Sequence, residues 1–532
     1  MLKENGRRLS AIHLIRNSVL LLCLLAPSAW MIANIPPLWR DADAYVQLTQ
    51  RPQVAVFWGH APAYCYLAKV PLYLGEQIER WQGRPPRPRL TDPSQPALTD
   101  TGIWILIVAQ HLMLGVAVFF FIAAITRFFW VRLALAAIWV SNAMPYTFAH
   151  CLGSETLGLI LIVVLAFKGL QLIQKENEPV WKEWYSYAVV LVLCLSARDL
   201  NLGLTLVLPV TFLLSWLIRK VGRAARVNPR SHPLQNAVIA SAISIACVFT
   251  ADAIEQGLAR KTRLHPHSRI GFTFLWRLHF LGHLTPETRA AVLAKVSARA
   301  PNDGVRYLIK LVGDMNGEPE GLQHTGPFMN RAIGYFGGHF HWEDLDRALN
   351  QMAFTFLWPP PPELLQAARA DFMGVMKEAS SAISRHLFLS TAYYFENKEG
   401  MPACAGLVTF RAGMNYETLF QLFWRHRYFH FWSRVPYFGA AVLWLLSFLL
   451  YMVLRLRRRA HIPTIAPYAV ALPVAGLVMF VVSCVLHDYE PRFAFSMWEL
   501  LLLSLVLLVG RTADLWVNRD LIGARGESPP GS

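Results

Sequence analysis

The feature that most constrains the fold is a series of long apolar segments separated by short stretches rich in Lys and Arg. Only 16% of the residues are charged, whereas soluble proteins carry about 25%. We therefore predict an all-α, polytopic membrane protein with about ten transmembrane helices. The ten predicted spans cover residues 12–34, 102–126, 131–149, 155–173, 184–197, 202–218, 235–257, 434–454, 464–486 and 493–510.

The apolar stretch 184–218 is interpreted as two spans. A single helix of that length would measure about 50 Å, against a hydrocarbon core of about 30 Å. We expect a hairpin that turns at Arg198 and Asp199. With this hairpin and a cytoplasmic N-terminus, the basic clusters all fall on the cytoplasmic side, as the positive-inside rule requires: 127–132, 175–182, 219–230 and 455–459. These clusters account for the net charge of +16, so we expect contact with membrane lipids and no nucleic-acid partner.

This topology divides the chain into four parts. An N-terminal transmembrane module of about seven helices, residues 1–257, contains a first outer loop at 35–101. Within that loop, "APAYCYLAKVPLYLGEQIERW" predicts an amphipathic helix at the membrane interface. Residues 258–433 have a soluble character and helical spacing, which predicts a mainly helical outer region. A C-terminal module of about three helices at 434–511 precedes a cytoplasmic tail at 512–532.

Charged residues collect at the predicted outer ends of several spans. They are Asp41 and Asp43 after the first span, Glu155 at the fourth, Arg198 and Asp199 at the hairpin, and Asp488, Glu490 and Arg492 before the last. Charged groups that face lipid are costly, so we expect them in a wet loop or a polar cavity. Two interpretations stay open at this point: solvated helix ends, or side chains that together line one site.

Four short motifs carry a resemblance to a known superfamily. They are Asp41-Ala-Asp43-Ala-Tyr45, then His60, Pro62 and Tyr64 in "GHAPAYCYLAKVPLYLG", Ser154-Glu155-Thr156-Leu157, and Arg492-Phe493 in "YEPRF". In their order and spacing, the chain resembles the GT-C superfamily of integral-membrane glycosyltransferases. Protein O-mannosyltransferases and lipid A aminoarabinose transferases belong to that superfamily. The sequence departs from the pattern at Ala61, where the family has proline, and at 494–498, which contain no proline.

The resemblance implies an enzyme that moves a sugar from a polyprenyl-phosphate donor to an acceptor on the outer face of the membrane. Bacterial relatives would place the site on the periplasmic side of the inner membrane. The sugar stays open, and so does the acceptor, which is a protein, a lipid or a glycan. A lipid or solute transporter and a non-catalytic scaffold for envelope assembly are the alternatives. A transporter would typically show an internal repeat, and we find none.

Sugar transfer from such a donor assigns roles to the matching residues. A base must take the proton of the acceptor hydroxyl, and Asp41 and Asp43 are the candidates. We favour Asp43, because Tyr45 follows it at the family's acidic-x-Tyr spacing, and Glu155 comes next. The leaving phosphate gains negative charge and needs cations. The candidates for phosphate binding are Arg198, Arg492, His60 and Lys69, and further residues expected to line the cavity are Tyr45, Glu155, Asp488 and Glu490.

Two points about these roles stay open. A divalent cation is an additional candidate for holding the phosphate, although carboxylates by themselves do not establish a metal site. The two arginines also have a plainer interpretation. Arg198 could pair with Asp199 and Arg492 with Glu490, in which case neither would hold a ligand.

Overall fold

The computed structural model describes most of the chain. The described residues are 2–39, 48, 51–53, 62–84, 95–175, 181–221, 232–260, 269–315, 325–337, 342–396, 415–425, 431–457, 464–487 and 491–523. The remaining residues include Asp41, Asp43, Tyr45, His60, Asp488 and Glu490.

Helices dominate the described residues. In chain order they are α1 (Leu2–Asn34), α2 (Pro62–Trp81), α3 (Asp100–Ile125), α4 (Phe129–Val140), α5 (Ala143–Ala149), α6 (Ser154–Gln174), α7 (Trp181–Ala197), α8 (Val207–Val221), α9 (Pro233–Arg260), α10 (Arg269–Arg277), α11 (Pro286–Ser297), α12 (Asp303–Met315), α13 (Thr325–Tyr335), α14 (Trp342–Leu357), α15 (Pro362–Lys377), α16 (Ser380–Glu396), α17 (Tyr416–Arg425), α18 (Tyr437–Arg457), α19 (Ile465–Leu486) and α20 (Phe495–Gly523). Four 3₁₀ helices lie at Asp199–Leu206, Leu278–His283, Trp432–Arg434 and Pro491–Ala494, and two short strands are β1 (Leu38–Trp39) and β2 (Cys151–Leu152).

Among the described residues, eight helices are long and apolar enough to cross a membrane. They overlap eight of the ten predicted spans, and the prediction of an all-α, polytopic membrane protein is confirmed. The predicted span 184–197 corresponds to α7, whose 17 residues reach about 26 Å. The last helix, α20, continues to Gly523, past residue 511 where the predicted C-terminal module ends.

The predicted span 131–149 is not one continuous helix. It breaks between α4 and α5 at Ser141 and Asn142, and neither piece is long enough to cross a membrane. Polar groups from distant parts of the chain satisfy the backbone at the break. The Ser141 carbonyl accepts from Trp432 N at 3.1 Å, and the Ala143 N–H donates to Ser433 Oγ at 2.8 Å. Hydropathy could not reveal this break, because the partners lie almost 300 residues away.

The predicted hairpin at Arg198 is confirmed. Helix α7 ends at Ala197, and Arg198 has an extended backbone, with φ −165° and ψ 131°. The rings of Trp184 and Phe212 lie 6.0 Å apart. In an unbroken helix these two residues would be separated by about 42 Å, so the chain must reverse between them.

Residues 258–433 are helical where they are described, and they pack in two ways. Helices α10 to α14 enclose a hydrophobic core of their own, which includes Phe274, Leu308 and Phe356. Helices α15 to α17 instead contribute apolar side chains, such as Phe388 and Phe423, to the core of the membrane-spanning helices. The second half of this region is therefore built into the membrane module.

Helix α2 is amphipathic, as its sequence predicts. Val70, Tyr73 and Trp81 are exposed on one face, a division of side chains typical of a helix on a membrane surface. The opposite face packs on the start of α3, where Glu76 Oε2 accepts from Ala97 N at 3.1 Å and Glu79 Oε1 accepts from Thr101 N at 3.2 Å. A carboxylate at a helix N-terminus is favourable, because the unpaired N–H groups there carry partial positive charge.

Close packing of α2 on α3 requires a glycine at position 75. A Cβ added there would lie 2.1 Å from Gly102 N and 2.2 Å from Gly102 Cα. Both atoms belong to the backbone, so the two helices would have to move apart.

We predict that Gly75→Ala destabilises the protein by more than the 1–3 kcal/mol typical of overpacking. The measurement is the thermal unfolding midpoint in detergent, followed by Trp fluorescence. Gly374→Ala is the matched control: it lies in α15, and its added Cβ would meet nothing within 4 Å. That substitution should be neutral or slightly stabilising. Equal midpoints for the two variants would contradict the packing described for α2.

Candidate functional site

The centre of the candidate site is a buried ion pair between two membrane-spanning segments. Glu155 lies in the first turn of α6, and Arg198 lies at the turn after α7. Arg198 Nη1 is 3.5 Å from Glu155 Oε1, and the two side chains are only 10% and 1% exposed. The plainer interpretation of the sequence, in which Arg198 pairs with Asp199, stays untested, because the Asp199 side chain is not among those described.

A second arginine reaches the same place from the start of α20. The Arg492 Cζ lies 5.2 Å from the centre of the Phe493 ring, and the Arg198 Cζ lies 5.5 Å from the centre of that same ring. The Arg198 Cζ is also 4.9 Å from the ring centre of Phe495. Aromatic rings attract guanidinium groups through the negative face of the π system. Two cations from different spans therefore converge on one phenyl ring.

The chain that follows α1 pairs with the strand that leads to Glu155. After α1 the chain forms β1, which pairs in parallel with β2 in the register Leu38↔Cys151 and Trp39↔Leu152. Strand β2 in turn leads through Gly153 into α6 and Glu155. Gly153 has φ 155°, a backbone conformation that residues with a side chain rarely adopt. The ladder therefore places Trp39, the last described residue before Asp41, beside Leu152, three residues before Glu155.

Buried polar side chains hold the residues on either side of β2. The Tyr64 hydroxyl donates to Gln110 Oε1 at 3.0 Å and accepts from Gly153 N at 3.0 Å. Burial raises the pKa of Tyr64, so the hydroxyl keeps the proton that it donates. Gln110 Nε2 then donates to the carbonyls of Ala149 and Cys151, at 3.0 and 3.2 Å. The backbone of this segment is held by hydrogen bonds from α2 and α3.

Helix α16 holds β1 from the other side. The Trp39 N–H donates to Thr391 Oγ1 at 2.9 Å, and the same oxygen lies 3.0 Å from the Trp39 carbonyl. Trp39 and Thr391 are both buried. Thr391, which is 352 positions away in the chain, thus fixes Trp39, the last described residue before Asp41.

The helical region 258–433 contacts the site through the end of α19. Trp276 stacks on His487 with ring centres 6.0 Å apart, and the ring of His487 meets the edge of Phe493 at 4.6 Å. Beside this stack, the buried Arg277 forms an ion pair with Asp371 and donates to the His487 carbonyl at 3.4 Å. Phe493, against which both site arginines lie, is therefore positioned partly by the helical region.

The other predicted site residues fall into two groups. Asp41, Asp43, Tyr45, His60, Asp488 and Glu490 lie outside the described residues, so their predicted roles stay predictions. Lys69 is described, and its Nζ lies 5.4 Å from the ring centre of Tyr66 on the same helix. No described contact joins Lys69 to Arg198 or Arg492.

The sequence interpretation missed one buried carboxyl group. Glu499 lies in the apolar run of α20, is 0% exposed, and has no hydrogen-bond partner for either carboxyl oxygen among the described residues. It is four residues after Phe495, so both side chains lie on the same face of the helix. The Tyr146 hydroxyl lies close enough to the Glu499 carboxyl group for the two to interact electrostatically. A single acidic residue inside an apolar run is unusual, so the sequence alone could have identified Glu499 as a candidate site residue.

A metal site is not apparent in the part of the chain that the structure describes. No group of three or more His, Cys, Asp or Glu side chains is placed there to hold a metal ion. The predicted acidic residues that could complete such a group lie outside the described residues. A divalent cation therefore stays a prediction.

Comparison of the chain with protein-family models, with curated proteins and with solved structures finds no match.

We predict that Glu155→Gln lowers the free energy of unfolding by about 3–5 kcal/mol, because it leaves the buried Arg198 without its described counter-charge. Chemical or thermal unfolding of the purified chain measures this. The control is Arg347→Gln, whose ion pair with Asp344 is exposed, with side chains 67% and 55% accessible. That change should have little effect. A Glu155→Gln variant as stable as the control would show that the pair is not buried as described.

Proposed function

We propose that this protein is a membrane glycosyltransferase that takes its sugar from a polyprenyl-phosphate donor. The observation that carries the proposal is the convergence of Arg198 and Arg492 on Phe493, with Glu155 3.5 Å from Arg198. A phosphate held at the membrane surface by a lipid needs cations at one end of the spans, and two guanidinium groups meet there.

The proposed reaction uses these groups in one displacement. The acceptor hydroxyl oxygen attacks the anomeric carbon of the sugar, and the bond from that carbon to the phosphate oxygen breaks. The phosphate leaves with the electron pair, still attached to the polyprenyl chain. Arg198 and Arg492 stabilise the charge that the phosphate gains. Asp43, or else Asp41, takes the proton of the acceptor hydroxyl.

The site is proposed to face the periplasm of a bacterial inner membrane. This orientation follows from the positions of the basic loops, which the positive-inside rule assigns to the cytoplasm. The ends of α7 and α19 and the starts of α6 and α20 would then lie on the periplasmic side. The acceptor would be a protein, a lipid or a glycan of the cell envelope.

A lipid or solute transporter is the alternative function. The observation that favours it is Glu499, because buried ionisable residues inside spans are typical of transporters and proton relays. Glu499 lies close to the outer end of α20, however, and the cations lie at the same end. A transferase uses charges in this position, whereas a transporter usually places its binding groups near the middle of the membrane.

We predict that Arg492→Gln weakens the binding of polyprenyl phosphate at least about tenfold, since a hydrogen bond to a charged group contributes roughly 1.5–3 kcal/mol. The measurement is titration of the purified chain with polyprenyl phosphate, with Trp fluorescence as the signal and the unfolding midpoint as a check on folding. Arg306→Gln is the control, because its ion pair with Asp303 on α12 is exposed. If both variants bind as tightly as the unaltered chain, the phosphate role of Arg492 is wrong.

We predict that Asp43→Asn lowers the turnover number about 10²- to 10⁴-fold, the usual contribution of a general base. Asparagine keeps the shape of the side chain and cannot accept the proton. Asp41→Asn should have the smaller effect. Release of polyprenyl phosphate from a synthetic polyprenyl-phosphate sugar, in membranes that supply the acceptor, measures turnover. Near-normal turnover in both folded variants would move the base to another residue, and Glu155 would be tested next.

A further inference from the structure

Two buried histidines, His111 and His150, form a hydrogen-bonded pair. His111 Nε2 on α3 lies 3.0 Å from His150 Nδ1 at the end of α5. His111 Nδ1 lies 2.9 Å from Ser28 Oγ on α1, and His150 Nε2 lies 2.8 Å from the Ile35 carbonyl oxygen. His111 and His150 are at most 1% exposed. The pair therefore connects α1, α3 and α5 to the chain just before β1.

The geometry determines which nitrogen of His150 carries the proton. The Ile35 carbonyl can only accept, so His150 Nε2 must donate to it. Burial lowers the pKa of His150 to about 4, because water no longer stabilises the charged ring. A neutral His150 has no proton on Nδ1, so this atom accepts from His111 Nε2. Each nitrogen of His150 has one fixed role.

His150 holds the chain on both sides of a Pro-Pro sequence. Its side chain binds the Ile35 carbonyl, and its backbone carbonyl accepts from Leu38 N at 3.0 Å. Pro36 and Pro37 lie between these two points and have no N–H to donate. The Leu38 N–H is therefore the first backbone donor after Ile35, and the His150 carbonyl oxygen accepts its hydrogen bond. One residue thus sets the position at which β1 starts.

We propose that His150 is a positioning residue for the transfer reaction: it fixes β1 against β2 and so sets the position of Trp39, the last described residue before Asp41, relative to the strand that leads to Glu155. This inference rests on the proposed function. His111 supports it by donating to His150 Nδ1 and holding the ring in the required orientation. His150 does not itself touch the donor or the reacting atoms.

The register of the ladder provides a direct test. Leu38 is paired with Cys151, a buried free cysteine. Paired residues on neighbouring strands lie about 4.8 Å apart, within the range that a disulfide bridges. A Leu38→Cys substitution should therefore form a disulfide with the native Cys151 under mild oxidation. Its rate of formation, measured by mass spectrometry of the full chain in detergent, reports how well β1 is held.

Two substitutions of His150 distinguish the roles of its two ring nitrogens. His150→Ala removes the donor to Ile35 and should slow disulfide formation about tenfold or more in the Leu38→Cys background. His150→Gln places an amide near the position of Nε2, so it can still donate to the Ile35 carbonyl, and it should stay within about threefold of the His150 rate. Equal rates for all three would overturn the claim that His150 fixes β1.

Turnover supplies the second measurement. In the reduced state, His150→Ala should lower the turnover number about 10- to 100-fold with the affinity for polyprenyl phosphate unchanged, since the arginines are not displaced. Oxidising the Leu38→Cys/His150→Ala variant should restore most of the turnover, and reduction should remove it again. A complete disulfide without recovery of turnover would overturn the positioning role. If the unaltered chain transfers no sugar, the proposed function fails, whereas the disulfide rates still decide whether His150 holds β1.

Discussion

The parallel pairing of β1 with β2 is the constraint on which the candidate site depends. Both strands are only two residues long and buried, and they lie where helices end. Backbone groups that leave a helix close to the membrane interior must find other partners, because lipid offers none. Gln110, Tyr64, His150 and Thr391 supply those partners from four different helices or helix ends. The short ladder is therefore held by its surroundings and contributes little strength of its own.

The same constraint explains why polar side chains gather at this end of the bundle. Each hydrogen bond that satisfies the ladder requires a buried polar group on a neighbouring helix, and a buried polar group is costly unless it is fully paired. Around 149–156 such pairing is extensive, and the Thr156 hydroxyl oxygen lies 2.6 and 2.8 Å from the carbonyl oxygens of Phe148 and Cys151. A rigid polar frame next to charged side chains is the arrangement that a binding site needs.

The membrane-spanning architecture could be predicted because apolar length is a property of local sequence. The hairpin at Arg198 was predicted for the same reason, since one helix across 184–218 would be too long for the membrane. The break at Ser141 and Asn142 could not be predicted, because the apolar composition continues through it and the partners Ser433 and Trp432 come from the far end of the outer region.

Three residues that the sequence singles out, Glu155, Arg198 and Arg492, lie in one part of the structure, whereas their contacts were not predicted. Glu155, Arg198 and Arg492 were identified because charge is unusual at the ends of apolar segments. The proximity of Arg198 to Glu155 could not be read from the sequence, because the two residues are 43 positions apart. Gln110, His111 and Thr391 were missed for a related reason. A single polar residue inside an apolar helix indicates that its side chain has a hydrogen-bond partner, but the sequence does not identify that partner.

The choice of partners for the two arginines bears on what the site can bind. Glu155 lies 3.5 Å from Arg198 and offsets part of its charge, whereas a phenyl ring orients a guanidinium group without neutralising it. Phe493 lies against both guanidinium groups, and the ring is in turn held by His487 and the stack on Trp276. An anion placed near Phe493 would therefore meet guanidinium groups whose positions are already set, at no further cost of ordering those side chains. Trp276 belongs to the helical region 258–433, so that region helps to position the ring against which both arginines lie.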